Sequence, residues 1–220
     1  MYARRRRYVA RPRAFRSYGG RSSVKRSIGI AALLAASIAT PALADSYPQI
    51  AIGESTAPAT ADGGSSQWAK ATNVKLTWDV GHAQPARDAT GVLVTTDGKF
   101  LYVRFDAKQS EPIVDNQHSN DTVTGGANIG GGIAWSDDAV WVDLWPTGPA
   151  GFQYQFESNP IGAHNEYSSE NTAFSPQWET HGTRTPGGYS VTMAIPMSVV
   201  HGAKAGTWRM QFVRYVRSSG

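Results

Sequence analysis

Ala139-Val-Trp-Val-Asp-Leu-Trp145, Pro146-Thr-Gly-Pro-Ala-Gly151 and Phe152-Gln-Tyr-Gln-Phe-Glu-Ser158 follow one another without a break. Successive strand side chains point to opposite faces of a sheet. The first and third segments alternate in that way, and the Gly/Pro-rich middle turns the chain between them. If the two strands pair in register, Val140, Val142 and Leu144 share one face with Phe152, Tyr154 and Phe156, and that face is core. The other face carries Trp141, Asp143 and Trp145 beside Gln153, Gln155 and Glu157. A pyranose offers an apolar C–H face to an indole ring and hydroxyls to amides and carboxylates, so this second face suits a sugar. It equally suits burial under a loop or a neighbouring domain, with the Trp residues serving as packing.

The same alphabet recurs on both sides of the hairpin. Val74, Leu76, Trp78 and Val80 alternate with polar residues, and Val92 to Thr96 is largely β-branched. Asp97-Gly98 then turns the chain into Phe100-Leu-Tyr-Val-Arg-Phe-Asp106, a second hairpin. Tyr189 to Ile195 and Thr207 to Val216 complete the strands. No long segment has helical periodicity. The expected fold class is all-β, an antiparallel β-sandwich of jelly-roll type. The longest irregular stretches, Glu111 to Ser136 and Asn159 to Pro176, read as binding loops. In the last strand Trp208, Met210 and Phe212 alternate as core. Strict alternation also places Arg214 on that buried face, so it must sit at a rim, at a bulge or beside an acid.

Charge and leader set the wider organisation. The formal net charge is +4 and the isoelectric point about 9.4. Ten of the 21 basic residues precede Ser27, and all 17 acidic residues lie from Asp45 onward, so the remainder has a net charge of −6. That distribution argues against a nucleic-acid surface. Ile28 to Ala39 is a short apolar run, and Ala42 and Ala44 fit signal-peptidase cleavage before Asp45. Residues 1–44 therefore read as a signal peptide, with the true start near Val24. The chain is expected to be exported: periplasmic, outer-membrane-associated or extracellular. Residues 45–67, rich in Ala, Ser, Thr, Gly and Pro, read as a linker, and residues 68–220 as the sandwich. Without Cys it must hold together through its core.

Catalytic and metal signals are thin. Asp137-Asp138 is a sequence pair whose carboxylates diverge on a strand entry. Glu166 and Glu170 share a stretch with His164, whereas a glycosidase needs two carboxylates ~5–10 Å apart across a cleft. The five His residues have no ligand spacing. Oxygen-rich stretches at Asp115–Asp121 and Asn165–Asn171 could hold a structural Ca²⁺, or be solvated polar loops. No cofactor is expected.

An ordered set of segments resembles the family 9 carbohydrate-binding module. These are Trp68-Ala69; Asp97 through Asp106; Trp135-Ser-Asp-Asp-Ala-Val-Trp-Val-Asp143; Phe152 through Gly162; Trp178-Glu179; Gly188 through Pro196; and Trp208 through Arg214. The resemblance spans Trp68 to Gly220. It implies a jelly-roll sandwich that binds glycan or oligosaccharide without catalysis, within a larger secreted protein of carbohydrate catabolism. It also implies a terminal sugar clamped between two Trp side chains, the first matched by Trp135. Trp141 stands where the family has an acidic ligand residue, and the second clamping Trp lies beyond the family's last strand, so the domain reads as cut short. Taken with the strand alternation, the candidate site is Trp135, Trp141, Trp145, Gln155, Glu157 and Arg104. Asn159-Pro-Ile-Gly162 and Trp178-Glu179 are more like relatives that precede outer-membrane-barrel regions, which implies a scaffold role and association with a barrel domain. A haem-binding relative of the same sandwich would need a Met or His axial pair, for which Met193, Met197 and Met210 are present.

Overall fold

The hairpin from Ala139 to Ser158 forms with the expected register. In a computed structural model, Val142 pairs with Phe156, Asp143 with Gln155 and Leu144 with Tyr154. The structure describes residues 49–55, 61, 65–120, 136–147, 151–203 and 206–217. The expected signal peptide and Trp135 lie outside the described residues.

Ten strands are described, and no α-helix occurs among the described residues. They are β1 (Gly53–Glu54), β2 (Thr72–Asp79), β3 (Gln84–Thr96), β4 (Phe100–Lys108), β5 (Ala139–Trp145), β6 (Tyr154–Ser158), β7 (His164–Ser168), β8 (Glu179–Thr185), β9 (Gly188–Pro196) and β10 (Arg209–Tyr215). A six-stranded sheet has the order β1-β3-β4-β9-β8, with β2 also on β3, and a four-stranded sheet has the order β10-β5-β6-β7. The chain is an all-β sandwich. Its core lies between the sheets: Val92, Val94, Leu101, Val103, Phe105, Val191, Met193 and Ile195 from the larger sheet meet Val140, Val142, Leu144, Tyr154 and Phe156 from the smaller. Trp208, Met210 and Phe212 are half-buried against that core, as their alternation predicts.

The β3–β4 turn follows from local chemistry. Asp97 Oδ1 accepts from the Lys99 and Phe100 backbone N–H groups at 2.9 and 2.7 Å, and Gly98 takes φ +83°. A side-chain acceptor two residues upstream is what favours Asp there, and the positive φ favours Gly.

Five details depart from the sequence reading. All pairs are antiparallel except β1 with β3, where Gly53 and Glu54 run parallel to Thr95 and Thr96. That strand falls within the expected linker, as does Ala61, which is buried with Trp68, Tyr102 and Ala194 against the back of the larger sheet. Composition marks Gly/Ala/Ser/Pro stretches as linkers, but a two-residue edge pair and one methyl in a pocket need no apolar run. Trp78 and Val80 do not face the core. The β2–β3 register shifts between Leu76 and Trp78, and the two side chains are 59% and 85% exposed. Phe152 is likewise not core: β6 begins at Tyr154, and Phe152 is 49% exposed. The stretch Asn159 to Pro176 is not a single loop but contains β7, and β8, unforeseen, follows it. Both strands lie at sheet edges, where polar side chains are tolerated.

Buried polar groups complete the interior. Asp137 and Asp138 are fully buried and diverge as expected. Asp137 accepts from the Asn116 N–H (2.9 Å), the Gln117 N–H (2.9 Å) and Asn159 Nδ2 (2.8 Å). Asp138 accepts from Gln109 Nε2 (2.7 Å), the Val114 N–H (2.8 Å) and the Arg217 N–H (2.7 Å). Arg214 is held at both terminal nitrogens without touching an acid, while its Nε is buried without a partner. It donates to Thr90 Oγ1 (3.0 Å) and to Gln109 Oε1 (2.9 Å), and lies 5.7 Å from the Tyr189 ring centre. Gln109 thus relays between the guanidinium and the Asp138 carboxylate.

Candidate functional site

Strand alternation sends one set of side chains away from the core on every strand of the smaller sheet. Register then arranges them in rows. Val213, Trp141, Glu157 and Asn165 form one row, and Gln211, Asp143, Gln155 and Tyr167 the next. Arg209 is opposite Trp145 in a third, with its guanidinium carbon 5.2 Å from the centre of that indole. Trp141, Trp145, Tyr167 and Asn165 are half-buried and Gln211 is exposed.

The middle of this face is a closed polar network. Asp143 Oδ1 accepts from Gln153 Nε2 and Gln155 Nε2, each at 3.1 Å, and the Trp141 side chain hydrogen-bonds to the same carboxyl group. Asp143, Gln155 and Glu157 are almost fully buried. Burial pushes the Asp143 carboxyl above its ordinary value, against the opposing pull of Gln153, Gln155 and Trp141. It thereby locks two amides and an indole in place. Trp141 and Trp145 are four residues apart on one strand, roughly 13 Å along it. Two rings sandwiching one sugar must each approach it to about 3.5–4.0 Å. The pair is therefore spaced as an extended platform that cannot close on one sugar from both sides. The clamp that the resemblance implies, Trp135 with a Trp beyond the last strand, is a different pair, and Trp135 lies outside the described residues.

A consequence for stability follows from the raised Asp143 pKa. An acid that binds its proton more tightly in the folded state makes the fold less stable as pH rises through that raised value. The cost disappears below the unfolded value of 3.8. Asp143→Asn keeps an acceptor oxygen for both glutamines. The variant is expected to gain stability relative to wild type as pH rises through that window, and to show no gain in acid. Paired urea titrations at several pH values check this, and a difference independent of pH defeats it.

The sequence-predicted site residues thus separate. Trp141, Trp145, Gln155 and Glu157 come together on one face, with the last two beneath the surface. Arg104 does not join them. Leu101, Val103 and Phe105 turn inward, so Arg104 lies on the outer face of the larger sheet, across the whole core, where it pairs with Asp106 (2.9 Å). Alternation assigns a face, but nothing in it says which sheet a strand enters. Tyr167, Asn165, Gln211 and Arg209 were not anticipated. Arg209 and Gln211 alternate with Met210 and Phe212 and could have been read that way, whereas Asn165 and Tyr167 needed β7 to be recognised.

The other candidates are engaged elsewhere. Glu166 Oε2 accepts from Trp178 Nε1 (2.8 Å), with His164 Nδ1 3.6 Å away. Glu170 Oε2 accepts from the Tyr154 hydroxyl (2.6 Å) and lies 2.9 Å from His201 Nδ1. Both Asp115 oxygens receive Arg184, at 2.8 and 2.5 Å. Among the described residues no group of three acidic or His side chains could hold a metal ion. Met193 is buried in the core, and Met197 and Met210 pack against it.

No family model matches the chain, and no curated protein does. Among solved structures, the chain is similar to a Bacteroides uniformis protein that bears a provisional description as carbohydrate-binding. The two are 14% identical with a TM-score of 0.45, over 66% of this chain and 69% of that one.

Proposed function

We propose that the sandwich is a non-catalytic carbohydrate-binding module whose contact surface is the outer face of its smaller sheet. One observation carries this reading: two indoles, Trp141 and Trp145, flank a buried network in which Asp143 holds Gln153, Gln155 and Trp141. A rigid aromatic platform with polar groups between its rings suits a chain of sugar rings better than a single one. Stacking contributes ~1–3 kcal/mol per ring, by analogy with nucleobases, and each hydrogen bond about 0.5–1.5 kcal/mol net. Affinity is expected near the millimolar range, roughly −4 kcal/mol. Titration of soluble oligosaccharides followed by Trp fluorescence tests it. Trp145→Ala should weaken binding on the order of tenfold with little loss of stability, because Trp145 is only half-buried. A wild type that responds to no glycan, or a Trp145→Ala variant that binds equally well, overturns the assignment. Trp135 belongs to the proposal as a further ring, on the strength of the family resemblance alone.

The burial of Asp143, Gln155 and Glu157 favours a second reading, in which this face packs against another domain, such as a membrane barrel, and the module is a scaffold. Export belongs to both readings, with a mature protein beginning at Asp45. N-terminal sequencing of the secreted or periplasmic protein checks that part, and retention of Arg4 to Arg7 defeats it.

A further inference from the structure

A cleft of about 280 Å³ opens at the end of the sandwich, lined by Thr147, Gly151, Phe152, His201 and Gly202. It lies away from the outer-face platform, although both borrow the β5–β6 connection. Tyr154 is buried with its side chain on the core side of β6, and Phe152, two residues earlier, precedes the strand and is 49% exposed. A large apolar ring left open beside a cavity, instead of folded into the core two residues away, has contact area to offer.

Behind His201, the one ionisable residue among the described residues lining the cleft, lies a polar network. Glu170 Oε2 accepts from the Tyr154 hydroxyl at 2.6 Å and lies 2.9 Å from His201 Nδ1. The His201 backbone N–H donates to the Tyr154 hydroxyl at 3.1 Å. Tyr154 and His201 together hold Glu170 below its ordinary carboxylate pKa, so it stays ionised. An ionised acceptor at Nδ1 places the imidazole proton there in the neutral ring, which leaves Nε2 as an acceptor. His201 is 71% exposed at its side chain, and it is Nδ1 rather than Nε2 that faces Glu170. An oriented ring acceptor beside an exposed phenyl ring matches a ligand with a C–H face and hydroxyl donors.

We propose that this cleft is a second sugar subsite, taking a single pyranose ring stacked on Phe152 with a hydroxyl donating to His201 Nε2. The inference rests on the carbohydrate-binding reading but not on the platform of Trp141 and Trp145. The volume decides the ligand size, since it sits near the ~300 Å³ lower end of small-molecule sites and admits one ring rather than an oligosaccharide.

The test uses the full chain and saturation-transfer NMR with glucose, galactose, mannose and xylose. Wild type should show transfer to at least one of these monosaccharides. Phe152→Ala and His201→Ala should each weaken it by about tenfold, and Phe152→Trp should retain it. The melting temperature of each variant confirms that it is folded, and since Phe152 and His201 are exposed, little change is expected. Transfer that survives Phe152→Ala and His201→Ala but vanishes in Trp145→Ala overturns the cleft and leaves the platform standing. Oligosaccharide binding at the platform with no monosaccharide transfer has the same meaning. Failure of every mono- and oligosaccharide overturns both.

Discussion

Asp138→Ala is expected to lower the unfolding free energy by about 3–5 kcal/mol. The carboxylate is fully buried and accepts from Gln109 Nε2, the Val114 N–H and the Arg217 N–H. Removing it strands three donors at once, and each buried donor left without an acceptor costs ~1–3 kcal/mol. Partial access of water near Val114 and Arg217 keeps the total below the simple sum. The damage extends further, because Gln109 also orients toward Arg214. Loss of Asp138 frees the amide to turn, and the half-buried guanidinium then loses its second acceptor. In thermal unfolding the change corresponds to a fall of roughly 10 °C. Arg184→Ala is the contrasting case. Arg184 and Asp115 form an equally close pair, but Arg184 is 55% exposed, so its loss should cost under about 1 kcal/mol. If Asp138→Ala costs no more than Arg184→Ala, the buried carboxylate does not organise the interior as described.

Gly182→Ala is expected to destabilise by about 2–4 kcal/mol through overpacking. A Cβ at Gly182 would stand 2.4 Å from the Gly162 nitrogen and 2.5 Å from both the Ile161 carbonyl carbon and the Pro160 oxygen. All three are backbone atoms, so no rotamer change relieves the clash. Relief requires β8 to draw away from the β6–β7 turn, which also opens the 2.9 Å bond between Ser158 and Thr180. That turn is itself held by Asn159, whose Oδ1 accepts from the Ile161 and Ala163 N–H groups while Nδ2 donates to Asp137 and to the Gln117 carbonyl. With four bonds made, the turn resists movement. Urea unfolding measures the effect. A midpoint equal to wild type would mean that β8 floats on the smaller sheet rather than pressing against it.

The parts of this fold that sequence made legible are those in which alternation and turn chemistry agree. Both central hairpins, β3–β4 and β5–β6, have β-branched or aromatic residues at period two and Gly-bearing connections, and both pair as expected. Trp141, Asp143, Gln155 and Glu157 share the outer face of the smaller sheet for the same reason. Legibility fails where a strand is defined by its neighbour rather than by its own side chains. β1 is two residues long, and β8 exposes most of its polar residues at an edge. Arg104 shows a different limit. Its face was readable, but the partition of strands between sheets depends on non-local pairing. Burial was the other surprise. Gln155 and Glu157 look like surface ligands because polar residues usually face water. Here Asp143, the glutamines and Trp141 satisfy one another, so the row can close without unpaired groups.

The Asp138 carboxylate has a further consequence, for the timing of folding. One of its donors, the Arg217 N–H, lies 79 residues downstream, and Arg214 reaches back 105 residues to Gln109. On a ribosome that releases the chain from its N-terminus, β3–β4 and β5–β6 can pair as soon as they emerge. The segment that completes those bonds, β10 with Arg217 just beyond it, is made after both hairpins. A nascent chain therefore carries a buried-to-be acid and its amide relay with part of their bonding missing, and water must serve them until β10 arrives. Completion of this interior is therefore expected only after β10 and Arg217 have been made, so the bonds that span the longest stretch of chain are expected to close last.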